Sequence, residues 1–466
     1  MSELPESRLK TTDEKGNRVY LFPEDITGFW KTRRRAFYYF LIFLYLFLPW
    51  IYIDGKQWVL LDIPKRTFRI FGFEFFGHDG PLLFFLLAGF ILTIAFITSI
   101  WGRVWCGWAC PQTVFIDAIY RNIEKLVEGK ARARKALAAG PWTFEKVWKR
   151  ALKWLLYILV SLHIVHSFLG YFVGTHKLFW ITMTTPTEHW ALFLTMLVMT
   201  GIILLDFGWF REQFCIIACP YGRFQSVAMD DNSMIVAYDS KRGEPRRAKG
   251  LPKDQEGSCI DCNRCVKACP TGIDIREGTQ LECIACTMCI DACDEIMVKL
   301  KQPTGLIRYT TENELKGVKK PKIQARSVIY LLLLSALATG LYFSLSLRQQ
   351  LQVQIFKSSK EAAYQEIKLK DGDKRYINHF RLKAFIASVD DTKYKIELKD
   401  NNLGLKLTVP EEEFVLRSQN YEVPVFIEFD KSILTKGQRF VSILVKNIDT
   451  DKIIIEKEVR LVGPFE

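Results

Sequence analysis

Residues 348–466 contain no cysteine and no tryptophan. That excludes a disulfide framework in this stretch, and with it the disulfide-and-Trp core of antibody domains. No G-x-G-x-x-G turn occurs anywhere, so a flavin or nicotinamide site of that form is not encoded. Four long runs, 36–53, 81–101, 154–172 and 327–347, lack every Asp, Glu, Lys and Arg. Five such segments flanked by charge, counting 190–210 with its single Asp206, read as membrane spans rather than buried core helices. The first 35 residues are polar, so no cleavable signal peptide is expected.

What the chain does hold is basic charge and clustered sulfur. Lys and Arg number 64 against 51 Asp and Glu, a net charge of +13. Residues 1–35 carry eight Lys/Arg and 102–150 carry ten, against four in 54–80 and Lys177 alone in 173–189. Residues 294–326 are basic again, with Lys319, Lys320, Lys322 and Arg326. With five spans, this bias puts the N-terminus inside and the C-terminus outside. The excess is then a topology signal and a contact with anionic lipid, and no nucleic-acid partner is needed to explain it.

All twelve cysteines fall in four motifs. Cys259, Cys262, Cys265 and Cys269 are followed by Cys283, Cys286, Cys289 and Cys293, which is C-x2-C-x2-C-x3-C twice. Three thiolates on a tight loop reach three corners of one [4Fe-4S] cubane, and the fourth ligates the other cluster. The expected ligand sets are therefore Cys259, Cys262, Cys265 and Cys293 for one cluster, and Cys283, Cys286, Cys289 and Cys269 for the second. Pro270 follows the first run and Asp294 the second, so the backbone after the second is expected to turn less tightly.

The remaining cysteines form a weak repeat. Span 81–101 leads into Arg103, Cys106 and Cys110-Pro111, and span 190–210 into Arg211, Cys215 and Cys219-Pro220. A duplicated hairpin would bring the two C-x3-C-P dithiols together. At i and i+4 both sulfurs of a pair would share a helix face, with Arg103 and Arg211 helping to ionise them. A shared thiolate metal site, a copper site, a further cluster or redox dithiols all fit this pattern. In span 154–172, His163 and His166 lie at i, i+3, with His176 and His189 on the outer side. Together they suggest a quinone, haem or copper site there. Met196 and Met199 are possible thioether ligands.

After the last span, runs such as Phe380–Phe385, Tyr394–Leu398, Val423–Phe429, Phe440–Val445 and Ile453–Leu461 alternate like strands, with a turn at Lys370-Asp371-Gly372. Pro424 suggests a strand start or an edge. The expected fold is a multi-domain membrane protein. It comprises a cytoplasmic segment 1–35, an α-helical bundle of duplicated hairpins over 36–226, and a cytoplasmic region 227–326 with a ferredoxin-like 2[4Fe-4S] segment at 259–293. A transmembrane helix at 327–347 and a periplasmic, all-β immunoglobulin-like sandwich at 348–466 complete it.

This order of motifs resembles the CcoG family (FixG/RdxA), accessory proteins of cbb3-type cytochrome c oxidase assembly. The likeness covers Cys106–Pro111, Cys215–Pro220, the run 259–293, the last span and the β domain, including Ile377–Leu382. It implies a bacterial inner-membrane oxidoreductase that reduces Cu(II) to Cu(I) for loading the oxidase. Cys106, Cys110, Cys215 and Cys219 would be its copper or redox site and the eight ferredoxin cysteines its electron store. Oxidase assembly factors or copper chaperones would be its partners, with an unknown electron donor. The C-x3-C-P pairs also resemble quinol dehydrogenase subunits of the NapH and NosR type, in which case His163 or His166 would contact quinone. A non-enzymatic scaffold that docks partners through the β domain is the third reading.

Overall fold

The computed structural model describes residue 11 and residues 18–464, apart from 66, 77–78, 248–251, 253–254, 319–323, 347–350, 358–363, 369–373, 387–391, 400–403, 411–412, 417–420 and 449–452. The turn expected at Lys370-Asp371-Gly372 lies outside the described residues. Two compact units divide between Tyr342 and Phe343.

Four helices among the described residues are long and apolar enough to cross a membrane: Leu82–Trp101, Phe144–Val173, Trp190–Phe210 and Ala325–Ser346. Their large exposed apolar side chains, Phe84, Leu87, Phe90 and Leu197 among them, are what a lipid solvent requires. The fifth expected span differs. Its helix runs Phe29–Phe47, so its first turns are the basic stretch around Lys31 and Arg33–Arg35. Only Ala36–Phe47 is left as apolar helix, short of the roughly 20 residues a bilayer needs. Pro49 sits in a 3-10 turn, Leu48–Trp50, that ends the helix. Its outward face still carries Phe40, Phe43 and Phe47.

The span Trp190–Phe210 closes in a π-helical turn, Leu204–Phe210, that contains Asp206. The Asp206 carboxylate accepts from the Gln112 side chain at 2.9 Å, which accounts for an acidic residue at this depth. The cysteine-bearing ends of both hairpins meet the segment 259–293 at the same end of the bundle. A two-stranded antiparallel ribbon, Ile235–Tyr238 with Ile307–Thr310, frames that segment on either side in sequence.

The second unit is two antiparallel sheets over one core. Lys406–Thr408, Tyr421–Asp430, Lys374–Ile386 and Leu351–Lys357 follow one another in the first sheet, and Gln365–Lys368 also pairs with Lys374–Ile386. Glu413–Leu416, Thr392–Leu398, Gln438–Asn447 and Ile453–Val462 make the second. Alternate residues of both, such as Phe380, Leu382, Ile427, Phe429, Ile396, Ile443 and Leu461, form a single buried cluster. Asn378 is a buried polar residue that ties the sheets. Its amide donates to the Val462 carbonyl at 2.8 Å, and its oxygen accepts the Val462 N–H at 2.7 Å. Pro424 lies inside a strand opposite Arg381, but the neighbour on its other side pairs only with Phe426–Glu428. Its missing N–H therefore falls where no ladder bond is formed.

Candidate redox site

The two C-x2-C-x2-C loops have the same backbone. In the first, Asp261 and Asn263 take φ of 53° and 57°; in the second, Ala285 and Thr287 take 53° and 63°. These are the same two positions after each leading cysteine. Left-handed backbone at non-glycine residues costs about 1 kcal/mol or more each, and it recurs where a loop must curl around a ligand. Sequence reasoning did not find these four residues. Only the strict duplication of spacing could have pointed to them.

Each loop opens a helix, Arg264–Ala268 and Met288–Lys299, that carries its third cysteine and leads to its fourth. Pro270 stops the first helix at once. Asp294 lets the second continue, and its carboxylate accepts the N–H of Gly305 at 2.8 Å. The eight cysteines line two cavities. One is lined by Cys259, Cys262, Cys265 and Cys293, the other by Cys283, Cys286, Cys289 and Cys269, with Cys265 also at the edge of the second. Apolar walls from Val236, Ile273, Ile275, Met297 and Ile307 close them. Burial pushes the Cys265 thiol up to about 11, and those of Cys283 and Cys293 up to about 12. As thiolates these side chains therefore need the positive charge of a metal centre. The donor set fits [4Fe-4S] clusters, which supply one-electron transfer when bound.

The C-x3-C-P segments are built alike at their ends. Cys110 (φ −63°, ψ 126°) and Cys219 (φ −73°, ψ 110°) are both extended, and a new helix starts at Pro111 and at Pro220. Proline disfavours α backbone at the residue before it and is preorganised at the first helical position. The expectation that each pair shares one helix face is thereby corrected. Cys106 lies in the helix Val104–Trp108 and Cys215 in the π-turn Phe214–Ala218, whereas their partners lie beyond the helix end. The second repeat has one more residue between its arginine and first cysteine, and a π-turn is how a helix absorbs such an insertion.

The four thiols sit within electrostatic reach of one another. Burial raises Cys215 first, and Cys110, Cys106 and Cys219 add to it. Burial also pushes Cys106 up to about 12, with Cys110 adding and Arg103 opposing. The arginines therefore do not ionise these thiols as expected. Arg211 is turned away onto Glu124 at 2.6 Å and the Tyr157 hydroxyl at 2.8 Å. Arg103 instead donates to the carbonyls of Leu281, Cys283 (3.1 Å) and Gly222 (3.2 Å). Among the described residues, no three Cys, His, Asp or Glu side chains are close enough to hold one metal ion. The ferredoxin cysteines share that wide spacing, which suits a multi-iron cubane with one thiolate per iron.

The membrane thiols are held directly against the second ferredoxin loop. Cys106 and Cys215 pack on the apolar cluster of Ile284, Cys286 and Met288. One crevice is lined by Cys215, Pro270 and Cys286 together. Gly107 allows the approach: a Cβ there would stand 2.6 Å from the Ile284 carbonyl and 2.7 Å from that of Ala285. Tyr38 donates to the Gly107 carbonyl and Arg34 to that of Cys286, and Arg34 pairs with Asp117 at 2.7 Å. Trp108 donates to the Tyr309 hydroxyl at 3.1 Å, which in turn reaches the Ala285 carbonyl at 3.3 Å.

The histidines are elsewhere. His163, His166, His189 and Met196 line one cavity between Phe144–Val173, Thr175–Met183 and Trp190–Ile203, whereas Met199 faces outward. His176 is not in that cavity; it stands edge-on to Tyr52 at 4.6 Å.

A 4Fe-4S dicluster domain family matches residues 210–312, and a 4Fe-4S binding domain family matches residues 82–133. The second match contains the first C-x3-C-P pair. Protein RdxA of Cereibacter sphaeroides is 34% identical over 84% of this chain and 84% of its own. Protein RdxB of the same organism is 36% identical over 74% of this chain and 76% of its own. The nitrogen fixation protein FixG of Rhizobium meliloti is 37% identical over 63% of this chain and 57% of its own. Its cysteine loops, membrane helices and these relatives together make the chain a member of the FixG/RdxA (CcoG) family of iron–sulfur electron-transfer proteins.

Proposed function

We propose that this protein is a cupric reductase that delivers Cu(I) for assembly of a cbb3-type oxidase. Cys259, Cys262, Cys265 and Cys293 hold one cubane, and Cys283, Cys286, Cys289 and Cys269 the other. Each Cu(II) ion takes one electron and leaves as Cu(I). Cys106, Cys110, Cys215 and Cys219 are the outlet: soft thiolates favour Cu(I) over Cu(II), so they bias the couple toward the reduced ion. Their spacing favours a further cluster or two dithiols as the resident form, with copper as a passing substrate. The observation that carries this reading is the crevice lined by both Cys215 and Cys286, because electron transfer needs its two centres near each other.

In this reading the ferredoxin segment faces the cytoplasm of a bacterial inner membrane. The β unit is an immunoglobulin-like domain on the periplasmic side, available to oxidase assembly factors or a copper chaperone. That orientation requires the helix Phe29–Phe47 to cross the bilayer too, extended by the apolar residues up to Ile53. The test is anaerobic reduction of Cu(II) by dithionite-reduced, purified protein, read with a Cu(I)-specific chelator. Replacing Cys106 and Cys110 by Ala should abolish the reduction while the ferredoxin iron stays bound. An unchanged rate in that variant removes the outlet assignment.

A further inference from the structure

We infer that the cavity around His163, His166 and His189 is a binding pocket for the head group of a membrane-soluble quinone. It encloses about 450 Å³ at the end of the helices away from the ferredoxin segment. That lies within the range of small-molecule sites, which are mostly apolar with a few convergent polar groups. Leu159, Leu162 and Leu192 supply apolar wall, and the three imidazoles with Thr185 supply polar groups.

His163 and His189 are exposed and His166 is half-buried, and among the described residues none of the three imidazoles makes a side-chain hydrogen bond to protein. Polar side chains in a membrane helix normally find a partner within the bundle, because hydrocarbon offers none. Three imidazoles converging on one cleft offer hydrogen bonds to a ligand with its own polar atoms. A quinone ring has two carbonyl oxygens on opposite edges and a hydrocarbon tail. Neutral imidazoles can donate to both oxygens, and the leucines take the tail.

Other occupants fit less well. A lipid chain has no use for the imidazoles. His163 and His166 project from one helix three residues apart, so they cannot stand on opposite faces of a haem. The three histidines are also not at the spacing of ligands on one ion. The pocket is independent of the copper proposal, since binding does not depend on what accepts electrons.

The experiment uses the full-length protein with its clusters, in lipid nanodiscs, with decylubiquinone as the probe. Binding should saturate at one molecule per chain, and an azido-quinone should cross-link to peptides within residues 159–196. The double variant His163→Leu/His189→Leu should bind at least tenfold more weakly, and Leu192→Trp, which fills the cavity, should not bind. Both should retain wild-type iron content. If a variant loses iron, competition on the wild type decides instead. Displacement by quinone-headed compounds but not by decanol supports the pocket, whereas displacement by decanol makes it a lipid groove and overturns it. Non-saturable uptake, cross-links elsewhere, unchanged affinity in the variants, a stoichiometric haem absorbance band or stoichiometric copper at these histidines would each overturn it.

Discussion

The carboxylate of Asp291, on the second ferredoxin helix, accepts the backbone N–H of Lys31 at 2.7 Å, and that of Trp30 at 3.1 Å. The N-terminus of the first long helix has Gly28 at its cap position and no side-chain cap of its own. Asp291 thus supplies from 260 residues away what a local Ser or Asp would ordinarily supply. The charge also meets the positive end of the helix dipole.

Asp291→Ala should therefore destabilise the first unit by about 2 kcal/mol, the scale of a charge-assisted hydrogen bond. Thermal unfolding followed at the iron–sulfur absorbance would read the loss. Gly28→Ala should do at least as much, since the new Cβ would stand 2.3 Å from the Asp291 carboxyl carbon. Wild-type melting in both variants would show that this contact has no weight.

Cys293→Ser and Cys269→Ser should each remove one cluster and leave its twin. Iron should fall by about four per chain from the four-iron stoichiometry, and the reduced EPR spectrum should lose any coupling between the two ferredoxin centres. Because the ligands are crossed, Cys293→Ser should resemble Cys259→Ser rather than Cys283→Ser. The opposite resemblance would reverse the ligand sets.

Glu124 is buried between Arg211 at 2.6 Å and Arg134 at 2.9 Å. Burial raises its carboxyl, but Arg211, then Arg134 and Lys153, outweigh burial and hold it down at about 2. A carboxylate depressed in the folded state stabilises fully above its ordinary value of 4.5, and that contribution is lost as pH falls toward about 2. Glu124→Gln should cost about 3 kcal/mol at neutral pH, because it strands two buried guanidinium groups. Its melting temperature should also fall less steeply with acid than the wild type's between those values.

Asn378→Ala should loosen the β unit alone. Losing both bonds to Val462 leaves a buried N–H and C=O without partners, about 2 kcal/mol. Chemical denaturation followed by β-sheet circular dichroism should shift, while the iron–sulfur absorbance melt should stay in place.

The cysteine chemistry was legible in the sequence because ligand spacing is local. The eight cysteines that the spacing singles out line two cavities, with Cys265 at both. Strand positions in the last quarter were legible too, because alternation is a two-residue pattern. What escaped was long-range. Nothing near Gly28 announces Asp291, and nothing near Cys286 announces Arg34. Where the first helix begins was not legible, because an apolar run says how much can sit in lipid but not that the basic flank joins the same helix. The C-x3-C pairs were misjudged because i, i+4 means one face only on an unbroken helix, and the prolines break it.

The grip of Arg34, Arg103 and Asp291 on the second ferredoxin loop and its helix has one further meaning. Small ferredoxins that diffuse carry charge by meeting and leaving their partners, so their throughput depends on collision. In the proposed reading, the separation of Cys286 and Cys215 would be fixed by this packing. A transfer across it would then be set by a tunnelling gap, indifferent to viscosity and to protein concentration, and only the arrival of electron donor and acceptor would be left to diffusion.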